Sequence, residues 1–401
     1  FLKRAELQER IGYCLHRAAF QAKSQEEFRE RLGLAVEAYE KACELYEKLV
    51  DKQKEALMFR CRAVAKYLEH WLASDPSEKR KLLYECLEFE RRALTAFWDI
   101  GNKLEYGETY NGLSIFALIA HREWDRLVLK GTIEEGITWG EKAVELFSEL
   151  GEPYGSARAR YVLATCLSIL WFLVPEMEKQ EQIVRKASEY LHMSLASFER
   201  VGDEYELGLS HCVLGAAALG GEEMDHLDRA LECGEKTHDV FLTAGALDCL
   251  AFNTNWRAAA TEHPDQKREL YAKAIEFYDR GQQLCSVMSS TFPRMMGTMQ
   301  APAGHITNYR ILANLEIDPE KKRELLDKSE EAGLKALKVA EESDIPDAVR
   351  YTLQELSLTL TARAKLEPDA DAKRSFLEKA LEFRERIKEY YERRLPFLYY
   401  N

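Results

Sequence analysis

An aromatic residue followed four places later by glycine recurs as "FWDIG" at 97, "FSELG" at 147, "FERVG" at 198 and "FLTAG" at 241. Each phrase closes a stretch whose apolar and small residues fall at steps of three and four, the spacing of one stripe on an α-helix. Glycine accepts the left-handed backbone that ends a helix. Gly101, Gly151, Gly202 and Gly245 are therefore expected to stop one helix and let the next fold back. A chain punctuated this way has few folds open to it, and repeated helical hairpins are the simplest.

Reading back from each aromatic at steps of four, three and four gives a recurring set. It is Ala35, Tyr39, Ala42 and Tyr46, then Cys86, Glu90, Ala93 and Phe97, then Gly136, Gly140, Ala143 and Phe147. Ala187, Leu191, Ser194 and Phe198 follow, then Ala230, Gly234, Thr237 and Phe241, and three weaker copies end on Cys285, Ala340 and Tyr391. Small residues in such a stripe let a neighbouring helix approach closely. The anchors recur every 43 to 55 residues, which divides the chain into units near 1–50, 51–100, 101–151, 152–202, 203–245, 246–289, 290–344 and 345–401. The opposite boundary is marked by "DPSEKRKL" at 75, "HPDQKREL" at 263 and "DPEKKREL" at 318, with proline in the first helical turn and Asp75 and Asp318 placed to cap. The arginines of these stretches, Arg80, Arg268 and Arg323, and Arg374 after "EPDADAK", read as a solvated helix face. No segment reads as a strand run. The expected fold is all-α, a right-handed α-α superhelix of about eight hairpins forming a single domain over residues 1–401.

A chain of 401 residues, 46% hydrophobic and 31% charged, can bury a large core. A net charge of -13 argues against a surface that tracks phosphates, so no nucleic-acid partner is expected. Nine cysteines with no CxxC pair suggest neither a disulfide framework nor a zinc knuckle; reduced thiols in a cytoplasmic protein are the simpler reading. The longest apolar run, "YVLATCLSILWFLVP" at 161, is shorter than the ~20 residues a membrane span needs. Because the chain opens on Phe1, it is also readable as a fragment of a larger protein.

The spacing of Ala35, Tyr39 and Ala42 resembles the second helix of the tetratricopeptide repeat, and "VLG" ending at Gly215 resembles the leucine-glycine pair of its first helix. The likeness extends along nearly the whole chain. It departs from the family in a unit of about fifty residues rather than thirty-four, and in poorly kept first-helix tryptophan and tyrosine positions. The resemblance implies an array whose first helices line a concave, partner-binding face, with protein or peptide binding and no catalysis.

Registering each first helix on Leu214 and Gly215 points Glu108, Asn111, Arg158, Tyr161, Leu209, Cys212 and Asn255 toward that groove. The alternative for each is packing against neighbouring helices. A second candidate is the irregular stretch "SSTFPRMMGTMQAPAGH" from 289 to 305, where Phe292, Arg294, Met295, Met296 and Met299 form either a contact surface or a loop packed over a widened gap. No catalytic constellation assembles: HExxH, GxxxxGK[ST] and GxSxG are missing, His211 beside Cys212 faces another way on a helix, and His226 and His238 are too far apart for paired ligands. No cofactor or metal is expected.

Two functions follow. One is a cytoplasmic, non-catalytic interaction scaffold that binds a protein or peptide segment in its groove. The other is the regulatory sensor of a larger signalling or transcriptional regulator, in which a ligand alters the solenoid and so acts on a linked output domain. Homo-oligomer formation is compatible with both, and no membrane partner is expected.

Overall fold

In the computed structural model, residues 1–49, 51–120, 126–217, 223–288, 301–342 and 346–398 are described. They form sixteen helices, and no strand occurs among them. The first four hairpins are α1 (Leu2–Ala19) with α2 (Gln25–Glu47), α3 (Lys52–Leu72) with α4 (Pro76–Asp99), α5 (Lys103–Ala120) with α6 (Arg126–Leu150), and α7 (Pro153–Leu173) with α8 (Met177–Val201). A shorter fifth pairs α9 (Glu204–Ala217) with α10 (Glu223–Thr237). The rest are α11 (Val240–Ala260) with α12 (Pro264–Met288), α13 (Ala301–Leu315) with α14 (Pro319–Glu342), and α15 (Pro346–Leu366) with α16 (Ala370–Leu398). Two compact units are present, Phe1–Ala246 with Leu284–Ser289, and Leu247–Gln283 with Ser290–Asn401. Among the described residues no helix is long and apolar enough to cross a membrane.

The repeated phrase acts through its backbone. Gly101, Gly151 and Gly202 have φ of 70°, 68° and 76°. In each, the residue after glycine donates its N–H to the carbonyl of the aromatic anchor: Asn102 to Phe97 at 3.1 Å, Glu152 to Phe147 at 3.0 Å and Asp203 to Phe198 at 3.2 Å. These are the six-to-one bonds of a Schellman ending. Two of the donors also open the next helix, since Asn102 Oδ1 accepts from Glu105 N at 3.2 Å and Asp203 Oδ1 from Glu206 N at 3.1 Å. One residue thus closes a hairpin and starts its successor.

The fourth phrase behaves differently. The same ending falls seven residues earlier, with His238 at φ 54° in the glycine's place and Asp239 N donating to Gly234 O at 3.0 Å. Gly245 therefore lies inside α11, and Phe241 belongs to that helix's first turn. A Cβ on Gly234 would lie 2.9 Å from Thr243 N, so the tight junction admits only glycine there.

Nesting of hairpins follows the small-and-aromatic stripe. The fully buried Phe147 ring of α6 lies between Gly107 of α5 and Gly155 of α7, where an added Cβ would stand 3.2 and 2.6 Å from it. Around it, Ala63, Leu83, Cys86, Leu87, Tyr110, Leu113, Ala143 and Ala159 carry one core from α3 to α7. In the second unit Leu337, Val349, Leu353, Leu356, Leu360, Ala380 and Phe383 do the same from α14 to α16.

Capping by Asp75 and Asp318 is as expected: their Oδ1 atoms accept from Glu78 N at 2.8 Å and Glu320 N at 2.9 Å. Two of the arginines read as solvated do more. Arg323 Nη2 donates to Leu366 O at 3.1 Å, and Arg268 donates to Leu315 O; Arg29 repeats the contact on Leu72 O at 3.1 Å. In all three, an arginine near the start of a second helix satisfies an orphan carbonyl at the end of the following hairpin's first helix.

The first unit closes on its own beginning. Val240 N donates to Phe20 O at 2.8 Å, Gln21 Nε2 to Thr237 O at 3.0 Å, and Arg17 pairs with Asp239 at 3.0 Å. Phe20 and Trp71 meet Phe241 edge-on, with ring centroids 5.7 and 6.1 Å apart. These contacts put Phe241 to use in the closure rather than as a hairpin anchor.

Candidate ligand-binding face

Successive first helices of the first unit are laced by half-exposed ion pairs. On α1 and α3, Arg60 pairs with Glu9 at 3.4 Å, and with Glu105 of α5. Tyr46 Oη donates to the other Glu9 oxygen at 3.0 Å. Arg158 of α7 reaches Glu108 of α5 at 3.6 Å and Glu206 of α9 at 3.4 Å. The guanidinium of Arg17 lies 3.7 Å over the Tyr205 ring and holds Asp239. Tyr13 of α1, 59% exposed, stands near both Arg17 and Arg158.

These side chains stay between buried and solvated. Arg17, Arg60 and Arg158 are 27%, 23% and 32% exposed, enough to meet a partner and too little for free hydration. Burial works against the Arg158 charge, yet Glu206 and Glu108 hold its guanidinium above the ordinary range. Behind the row, Glu90 of α4 is fully enclosed, its Oε2 without a hydrogen-bond partner among the described residues. Burial pushes its carboxyl up to about 8, against the pull of Arg60.

Of the residues singled out from the sequence, Glu108 and Arg158 meet in this row. Tyr161 is half-buried on α7 and engaged with a neighbour. Asn111, Leu209 and Cys212 are buried, and Asn111 Oδ1 has no hydrogen-bond partner among the described residues. Asn255, in the second unit, donates from Nδ2 to Tyr278 Oη at 3.3 Å. Phe292, Arg294, Met295, Met296 and Met299 lie outside the described residues. Sequence reasoning passed over Glu9, Tyr13, Arg17, Arg60, Glu105, Tyr205, Glu206 and Asp239. The usable signal was an arginine set among apolar and small residues of a first helix, as in "FRCRAVA" at 59 and "SARARYVLA" at 156.

No protein-family model matches the chain, and no curated protein matches it. Among solved structures it is similar to a Rap protein complexed with competence and sporulation factor, at 12% identity over 97% of this chain and 99% of that one, with a TM-score of 0.48. It is also similar to a signal transduction ATPase with numerous domains from Pyrococcus horikoshii, which carries a tetratricopeptide repeat sensor. There the identity is 14%, over 88% of this chain and 53% of that one, with a TM-score of 0.43. A circular tandem repeat protein gives 16% identity over 97% and 98%, with a TM-score of 0.27. The sixteen helices of the described residues, their Schellman joints and the glycine-cradled aromatics identify the fold as an all-α, tetratricopeptide-like array of about eight hairpins.

Proposed function

We propose that this chain is a non-catalytic scaffold that binds a peptide, or an extended segment of a partner protein, along the first helices of its first unit. The observation that supports this reading is the half-exposed row of arginines and carboxylates from α1 to Asp239. Three arginines in it face five carboxylates, Glu9, Glu105, Glu108, Glu206 and Asp239. Burial pushes the Glu206 and Asp239 carboxyls up, so a cation brought among them would supply charge the face lacks. A segment bearing lysine or arginine between apolar residues is the partner this chemistry favours.

Co-purification from the native host with mass spectrometry finds the partner, and titration calorimetry with Glu108→Lys and Arg158→Glu tests the face. Glu108→Lys is expected to weaken binding of a cationic segment at least ~10-fold, the ~1.4 kcal/mol or more that a desolvated charge contact carries, and Arg158→Glu, which puts a carboxylate in place of a rival cation, to strengthen it. Unchanged affinity of every partner for both variants, with helical content intact, refutes the groove.

A second reading, the ligand-responsive sensor, draws support from the closure of the first unit. A ligand seated on the row would act on the Arg17–Asp239 pair, which is part of it. In a sensor, hydrogen exchange at Val240 N–H should change on ligand binding; in a passive scaffold it stays as it was.

A further inference from the structure

One polar contact in the first unit joins two imidazoles. His211 of α9 and His226 of α10 meet with their Nδ1 atoms 3.0 Å apart and ring centroids 5.1 Å apart. His192 of α8 stands 6.3 Å from the His226 ring, at an exposed position. Three successive helices thus bring three imidazoles together. The sequence hid this, because 192, 211 and 226 share no helical spacing.

In the pair one Nδ1 donates and the other accepts. Arg229, one helical turn after His226, is paired with Glu232 at 2.7 Å. Two nitrogens on one tetrahedral ion, with metal–nitrogen bonds of ~2.0–2.1 Å, lie ~3.3–3.4 Å apart. To admit an ion in place of the shared proton the rings must part by a few tenths of an ångström and tilt until both lone pairs converge on it. The donating ring moves that proton from Nδ1 to Nε2, and none is lost overall. No three histidine, cysteine or carboxylate groups converge on one point among the described residues as they stand. His192, being exposed, is free to close the remaining distance by rotating its side chain, and water completes the shell.

We propose that His211 and His226, joined by His192, form a site for a divalent transition ion of the zinc, nickel or copper kind, which imidazole favours. The ion would tie the α7–α8 hairpin to the α9–α10 hairpin.

The test is calorimetric titration with zinc chloride of the chain carrying Cys14→Ser, which removes the exposed thiol as a rival ligand. One zinc per chain is expected, with no heat from magnesium chloride. His226→Ala should cost more than the ~10–100-fold in affinity that loss of an outer-shell partner costs. His192→Ala, at a solvent-facing position that leaves folding intact, should cost ~10-fold. Absence of a zinc site in the parent, or equal affinity in the His211→Ala/His226→Ala double variant with its helical content retained, overturns the proposal. Unchanged affinity in His192→Ala overturns the three-ligand arrangement.

Discussion

Gly155→Ala tests how the hairpins nest, because two opposing effects act on it and packing decides the sign. Alanine in a helix gains up to ~1 kcal/mol over glycine, less in the first turn where Gly155 lies. The added Cβ would stand 2.6 Å from Phe147 Cδ1 and 2.7 Å from Cε1. That ring is 1% exposed and meets Gly107 on its other side, so it has nowhere to retreat. Overpacking of this kind costs ~1–3 kcal/mol, leaving a net loss of ~1–2 kcal/mol. For a unit of this size that lowers Tm by ~2–8 °C. Gly33→Ala is the control: nothing lies within 4 Å of its would-be Cβ in the interior of α2, and the propensity gain of ~0.5–1 kcal/mol should raise Tm. Thermal unfolding followed by circular dichroism reads both. A Phe147→Leu change should cost less in the Gly155→Ala background than in the parent, since it relieves the same clash. If Gly155→Ala melts at or above the parent, the aromatic-in-glycine account of nesting is wrong.

Glu90 gives a pH dependence. Its folded carboxyl titrates near 8 against an ordinary 4.5, so its contribution is fully present below pH 4.5 and is lost as pH rises toward 8. The slope approaches ~1.4 kcal/mol per pH unit; Glu90→Gln should flatten urea-unfolding stability across that window, and an unchanged slope refutes the assignment. Arg17→Met leaves Asp239, 1% exposed, without its cation and should destabilise the first unit by ~2–4 kcal/mol, Arg17 itself being a quarter exposed. Adding Asp239→Asn, which keeps the α11 cap, should recover part of that loss in the same unfolding assay.

Features written in local spacing were legible in the sequence, and features requiring many hairpins to add up were not. Gly101, Gly151 and Gly202 end their helices because the left-handed residue, the aromatic carbonyl it exposes and the next residue's N–H all lie within six positions. Asp75 and Asp318 cap for the same reason. Gly245 misled because it keeps the same spacing from an aromatic residue, while the true ending is formed by His238, at φ 54°. Those surroundings are set by Phe241 turning to Phe20, more than two hundred residues earlier in the chain. The ligand-binding row divides in the same way. Glu108 and Arg158 were found because both fall in one register, fifty residues apart. Arg17 and Asp239 escaped because they meet only after five hairpins have each turned the stack by their own small angle, and no single hairpin's sequence carries the sum. That division also ranks perturbations. A change inside one hairpin, such as Gly33→Ala, should act there alone. A change that alters the angle of any of the five should be felt at Arg17–Asp239, however far from it the substitution lies.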